Sequence, residues 1–147
     1  MRADHIVEDH LVVGLDDDAL EIARLVAQRG VPGVVVADAD GRLHALLGPP
    51  DVLRLILPPA VRESRTLARV YDERHADRIA HALAGRTVGD ILPDPLDRIP
   101  LVRGRATAVE LAEAMAHRSP LVVVREQDHT LGVITASCLL RRLVSTA

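Results

Sequence analysis

Pro32-Gly33-Val34-Val35-Val36-Ala37-Asp38-Ala39-Asp40-Gly41-Arg42-Leu43-His44-Ala45-Leu46-Leu47-Gly48-Pro49-Pro50-Asp51-Val52-Leu53-Arg54-Leu55-Ile56-Leu57 is the passage that decides how this chain is built. It contains a valine run, a polar turn at Asp38 to Gly41, a second apolar run from Leu43 to Leu47, and Gly48-Pro49-Pro50-Asp51 opening a leucine-rich segment. The same order returns from Pro120 to Val144. There, Val122-Val123-Val124 is followed by a turn from Glu126 to His129, the run Leu131 to Ile134, and Thr135-Ala136-Ser137-Cys138 opening Leu139 to Val144. Gly48 and Asp51 correspond to Thr135 and Cys138. Self-similarity at this spacing fixes the architecture before any single residue is weighed. It predicts two copies of a strand-turn-strand-helix unit facing each other across a pseudo-twofold axis.

Upstream of each passage the pattern also repeats. Leu11-Val12-Val13-Gly14-Leu15 reads as a short buried strand. Asp16-Asp17-Asp18 places carboxylates at a helix start, where one caps free N–H groups and all favour the positive end of the dipole. Ala19, Ile22, Ala23 and Val26 form one helical face, and Gly30 closes the helix. In the second copy Ile99-Pro100-Leu101-Val102 matches the strand at Leu11, and Thr107 caps a helix with Ala108, Leu111, Ala112 and Met115 on one face. Each copy is therefore β-α-β-β-α, an α/β unit with an apolar face that it cannot cover alone. Before the first strand, Met1 to His10 is polar apart from Ile6 and Val7 and reads as a short lead-in helix. Thr87 to Leu92 is a capped helical turn that begins the second copy, and Pro93-Asp94-Pro95 is a turn. Arg62 to Ala84, with Leu67, Val70, Tyr71, Ala76, Ile79, Ala80 and Leu83 as an apolar stripe, predicts one long connecting helix. The organisation is a first repeat over 1–60, a connecting segment over 61–86 and a second repeat over 87–147.

Composition removes several function classes. The chain of 147 residues is 48% hydrophobic, so it has enough apolar surface for a core. Tyr71 is its one aromatic residue outside the histidines, which removes ring-stacking on single-stranded nucleic acid. The net charge of −3 comes from scattered charges of both signs, without a basic stripe. A single cysteine, Cys138, cannot form an internal disulfide or a cysteine-rich zinc site. Asp38-Ala39-Asp40-Gly41 lacks the further oxygen ligands of a calcium loop and reads as turn chemistry. His75 and His81 do not share a helical face and are read as surface residues; His44 is read as a partly exposed strand residue. No Ser-His-acid or Cys-His order and no glycine-rich phosphate loop stands out, so no catalytic residue and no metal site is expected. The polar N-terminus and the absence of a run of about 18 apolar residues predict a cytoplasmic protein without membrane insertion.

These residues bring the chain to a family. From about Ile6 to Val144 it resembles a tandem CBS-domain pair, or Bateman module, of the stand-alone bacterial type. The resemblance rests on the two (Gly or Ser)-Pro-valine-strand passages, the hairpin Asp40-Gly41-Arg42-Leu43, and Leu131-Gly132-Val133-Ile134-Thr135 leading into a helix. It implies a cleft between the copies that binds an adenosine-type ligand: AMP, ADP, ATP or S-adenosylmethionine. The family's ligand motif places a hydroxyl on phosphate and an aspartate, three residues on, against the ribose hydroxyls. Here the first copy keeps the acid, Asp51, after Gly48 but loses the hydroxyl; Pro49 and Pro50 supply no N–H to phosphate. The second keeps the hydroxyl of Thr135 and the N–H groups of Ala136 and Ser137, but has Cys138 in place of the acid, and a thiol is a weak partner for a diol. Val13, Val31 and Pro32 in the first copy, and Ser119 and Pro120 in the second, complete the ligand-binding set that the resemblance implies. Arg103, Arg105 and Arg118 lie near the expected cleft. Each motif has a plainer reading as well: Asp51 and Thr135 cap their helices, and Cys138 packs at a helix start, with a redox role as the alternative where a helix N-terminus lowers its pKa.

The resemblance implies a regulatory module that dimerises through the helix faces around Val52, Ile56, Leu139 and Leu143 and modulates a partner protein. The alternative is a ligand-free dimerising module that docks on a separate transporter or enzyme. Nucleic acid is not expected as a partner.

Overall fold

The computed structural model describes residues 1–57, 59–70, 73, 74, 78, 81–92, 99–117 and 119–145. In the first repeat, β1 (Leu11–Val13) leads through α1 (Ala19–Arg29) to β2 (Val34–Ala37), and β3 (Leu43–Leu47) leads into α2 (Pro49–Ile56). The second repeat has β4 (Leu101–Arg103), α5 (Ala108–His117), β5 (Leu121–Glu126), β6 (His129–Thr135) and α6 (Ala136–Val144). Between them lie α3 (Pro59–Glu63) and α4 (Val88–Ile91). Each repeat has one three-stranded sheet, ordered β1-β2-β3 and β4-β5-β6. The first pairing in each is parallel and needs the helix as a crossover; the second is an antiparallel hairpin.

The valine runs sit at the centre because a strand sends alternate side chains to opposite faces. Val34 and Val36 join Val13, Val26 and Leu47 under the helices of the first repeat. Val122 and Val124 do the same with Leu111, Ile134 and Leu139 in the second. Val35 and Val123 point the other way and meet between the sheets with Leu121 and Val133. All six valines are fully buried, which requires both faces of each central strand to be covered. Burying a valine contributes roughly 1.5–3 kcal/mol, so this three-layer stack is the main source of stability.

The caps follow the sequence. Asp18 accepts from the Glu21 N–H at 2.9 Å, and Gly30 ends α1 with a left-handed φ of 60°. Thr107 and Glu110 form a reciprocal capping box at α5, as Thr87 and Asp90 do at α4. His44 is part-buried and its Nε2 lies 3.1 Å from Asp38 Oδ2.

The lead-in of each repeat docks on the other repeat. A 3-10 turn at Ala3–His5 lies on the second repeat, where Arg2 bridges to Thr107, Ala3 N–H bonds Ala106 O at 3.0 Å and Asp4 N–H bonds Gly104 O at 2.8 Å. In the equivalent position on the first repeat, Thr87 bridges to Asp18, Val88 N–H bonds Asp17 O at 2.8 Å and Gly89 N–H bonds Leu15 O at 2.8 Å. Ala3 and Ile6 are buried in the core of the second repeat and Val88 in that of the first. The exchange follows the pseudo-twofold relation between the halves.

The long helix expected over Arg62 to Ala84 is not continuous. α3 ends at Glu63, a 3-10 segment runs from Arg65 to Val70, and another from His81 to Leu83. Leu67 is 38% and Val70 73% exposed, so these two members of the expected stripe have no core to cover them. A helix without such burial is marginal in water. Among the described residues of this region only Leu83 is buried, where its turn packs on α1. Tyr71, His75, Ala76, Ile79 and Ala80, the turn Pro93-Asp94-Pro95 and Arg118 lie outside the described residues. No helix among the described residues is long and apolar enough to cross a membrane.

Candidate functional site

The two hairpins deliver the N-termini of α2 and α6 to one cleft between the repeats, with a volume of about 410 Å3. Six of the residues singled out from the sequence line it: Pro32, Gly48 and Asp51 from the first repeat, and Ser119, Pro120 and Thr135 from the second. Leu46 and Leu121 add apolar wall, and Arg54 and Ser137 sit at its polar edge. A volume in this range suits a small ligand, and apolar walls with a few polar groups are the usual make-up of such a site.

At the first helix start, Pro49 and Pro50 occupy the first two helical positions. Asp51 Oδ2 accepts the Gly48 N–H at 2.7 Å. This is half of a capping box, since glycine has no side chain with which to reciprocate. The other oxygen, Oδ1, lies 3.6 Å from the Arg54 guanidinium, and both side chains are substantially exposed. Asp51 therefore caps its helix and still presents a carboxylate oxygen to the cleft.

The second start is more fully engaged. Thr135 Oγ1 accepts the Cys138 N–H at 3.1 Å and so caps α6. The same hydroxyl donates to Glu8 Oε2 at 2.7 Å, and the Thr135 N–H donates to that oxygen at 2.8 Å. The Ala136 N–H, expected to face a phosphate, donates instead to Pro120 O at 2.8 Å. Glu8 is a residue that the sequence reading missed. It is held by its own N–H on Val133 O at 2.7 Å, along a segment whose Ile6 is buried. Gly132 permits this approach, because a Cβ there would lie 2.7 Å from Val7 Cβ. No local pattern marks Glu8, since its position follows from the exchange of lead-ins.

Three of the expected ligand contacts lie elsewhere. Val13 and Val31 belong to the core of the first repeat, and Cys138 to that of the second, 8% exposed. The Cys138 Sγ rests 3.6 Å from Ile6 O. Burial pushes its thiol pKa up, and the nearby Glu8 charge adds to the effect, contrary to the lowering that a helix N-terminus favours. A thiol held protonated in a core is poorly placed for redox chemistry. Arg103 and Arg105 are exposed and do not line the cleft. Among the described residues no group of three or more metal-ligating side chains comes together.

A second, shallower groove of about 580 Å3 runs between α5 and α6. Ala112, Met115, Leu139, Leu140 and Leu143 line it, and Ser119, Pro120 and Ala136 are shared with the cleft. Leu140 is 62% and Leu143 40% exposed. Leu139, expected on a dimer face, is buried in the core of its own repeat where it lines this groove, and Leu140 stands outward beside it.

The comparisons agree with the two-repeat fold. The model of the CBS domain matches the chain twice, over residues 3–58 and 88–145. A crystal structure of a CBS domain-containing protein from Kribbella flavida DSM 17836 is similar at TM-score 0.77 and 41% identity, covering 98% of this chain and 99% of that chain. CBSX2 from Arabidopsis thaliana is similar at TM-score 0.71 and 17% identity, covering 99% and 95%. A structure of CBSX2 in complex with AMP is similar at TM-score 0.65 and 18% identity, covering 99% and 97%. At these lower identities the likeness is one of fold. No curated protein matches.

Proposed function

The chain belongs to the CBS-domain family as a tandem pair, and on that premise we propose that it is a non-enzymatic regulatory module that binds an adenosine-type ligand between its repeats and modulates a partner protein as a homodimer. The observation that carries this reading is the cleft at the starts of α2 and α6, with apolar walls from both repeats and the Asp51 carboxylate at its edge. A flat base fits between proline and leucine walls, and a carboxylate accepts two hydroxyl bonds from a ribose, each worth roughly 1.5–3 kcal/mol as a bond to a charged group. CBSX2, a protein of the same fold, has been captured with AMP.

The apolar groove between α5 and α6 supports the dimer. It shares Ser119, Pro120 and Ala136 with the cleft, so a ligand that shifts these residues also alters the dimer face. A ligand biases an equilibrium only by binding one state better than another, and a shared wall provides that difference. The test is thermal unfolding with AMP, ADP, ATP and S-adenosylmethionine. A ligand at 100 times its dissociation constant stabilises by about 2.7 kcal/mol; no shift with any of the four at millimolar concentration overturns the ligand reading.

One observation favours a second reading. The Gly48, Thr135 and Ala136 N–H groups and the Thr135 hydroxyl are all engaged inside the protein. On that reading the pair is a ligand-free dimerising module that docks on a separate transporter or enzyme. Dimerisation unaffected by every ligand above, with co-purification of one defined partner, supports it.

A further inference from the structure

The geometry points to a cleft that selects an adenosyl ligand whose 5′ substituent is neutral or cationic and turns away phosphate, with Glu8 as the residue that sets this choice. The inference rests on the ligand reading above and narrows it. A phosphate needs N–H or O–H donors and a local positive field. At the α6 end, both Thr135 donors end on Glu8 Oε2, at 2.8 Å from the backbone and 2.7 Å from the hydroxyl. The remaining face of that hydroxyl is taken by the Cys138 N–H, and the Ala136 N–H by Pro120 O.

At the α2 end the first two helical residues are prolines and donate nothing. The Gly48 N–H is bonded to Asp51 Oδ2, and the Asp51 N–H to Gly48 O at 3.0 Å. Among the described lining residues, Arg54 is the one cation, and it leans on Asp51. An incoming phosphate therefore meets occupied donors at Gly48, Thr135 and Ala136 and a carboxylate directly behind Thr135, which leaves the uncharged donors of Ser119 and Ser137 and the Arg54 guanidinium, itself beside Asp51, to hold it.

Glu8 is built into this position. Its N–H bonds Val133 O at 2.7 Å, Ala3 and Ile6 anchor the same segment in the core of the second repeat, and Gly132 leaves the space through which it passes. In effect the chain supplies its own anion to the helix start that would otherwise attract one. A ribose diol can still use Asp51, and a positive charge on the 5′ substituent is favoured by the carboxylate behind Thr135.

The test is calorimetric titration of the full-length protein with adenosine, S-adenosylmethionine, AMP and ATP, for the wild type, Glu8→Gln and Glu8→Ala. The wild type is expected to bind adenosine and S-adenosylmethionine at least roughly tenfold more tightly than AMP or ATP. Glu8→Ala frees both Thr135 donors and removes the charge, so AMP gains roughly tenfold while adenosine is unchanged. Glu8→Gln keeps an acceptor for Thr135 but drops the charge; it gives a smaller gain and retains the native anchoring should the alanine variant fail to fold. AMP bound as tightly as adenosine by the wild type overturns the inference alone. So does a folded variant that binds adenosine with no gain for AMP. Failure of all four compounds to bind any of the three proteins removes the ligand reading itself, and this inference with it.

Discussion

Thr135 shows how much one residue carries here. Its hydroxyl caps α6 and donates to Glu8, while its N–H donates to the same oxygen. Thr135→Val removes the cap and one of the donors on a half-buried carboxylate, and is expected to lower the free energy of urea unfolding by roughly 1–3 kcal/mol. Thr107→Ala removes only a cap bond on an exposed capping box, so about 1 kcal/mol is expected from the same measurement. The residue scale also sets the acid response. The Arg42 N–H and His44 beside Asp38, and the Thr87 and Thr107 groups beside Asp90 and Glu110, hold these three carboxyls below their ordinary values. A depressed folded-state pKa contributes stability that is complete above the unfolded value, about 3.9 for Asp and 4.3 for Glu, and is lost as pH falls through the folded value. Unfolding midpoints are therefore expected to fall as the pH drops below about 4. The fall should be shallower in the combined Asp38→Asn, Asp90→Asn and Glu110→Gln variant. The caps at Asp18, Thr87 and Thr107 were legible in the sequence because capping depends on neighbours three residues away.

Among the elements, the exchanged lead-ins are the most consequential. The segment from Arg2 to Glu8 covers the second repeat through backbone bonds to Ala106, Gly104 and Val133. Gly132→Ala puts a Cβ 2.7 Å from Val7 Cβ and 3.1 Å from the Glu8 carbonyl oxygen. Neither atom is the free end of a flexible side chain, so the segment must lift. The expected cost is roughly 1–3 kcal/mol, as for overpacking elsewhere, together with faster proteolysis near the N-terminus. An equal rate of cleavage in the variant and the wild type would show that the segment does not rest there. The sequence marked Ile6 and Val7 as the apolar residues of the lead-in but not what they pack against. In the connecting region, the apolar spacing from Leu67 to Leu83 promised a helix that the described residues break into pieces. Periodicity shows that a segment has an apolar face, while a continuous helix also requires something for that face to cover.

For the whole molecule, each repeat is completed by the other's lead-in, and the sheets share the layer around Val35 and Val123. Arg125 adds a bond across the halves, donating to Gly41 O at 3.0 Å and to Asp128 O at 2.7 Å from one nitrogen. The pair should therefore unfold in a single transition; Leu111→Ala, in the second repeat, should lower it as a unit by roughly 2–5 kcal/mol without splitting it. A two-step calorimetric trace would mean that the repeats are independent. The outward leucines of α6 belong to this scale too. On the dimer reading, Leu140→Glu should shift the sedimentation of the protein from dimer to monomer while leaving its unfolding cooperative, because Leu140 is exposed within the chain.

By itself the sequence determined the two repeats, their strands, their helices and the pairing of the valine runs, because these follow from periodicity, turn residues and caps acting over a few positions. It also indicated where the starts of α2 and α6 should meet. Only the tertiary structure decided that Glu8 takes the donors of Thr135, that Cys138 and Leu139 turn inward while Leu140 turns outward, and that Val13 and Val31 are core. These outcomes depend on how elements far apart in the chain are laid against one another, and no local spacing encodes that placement.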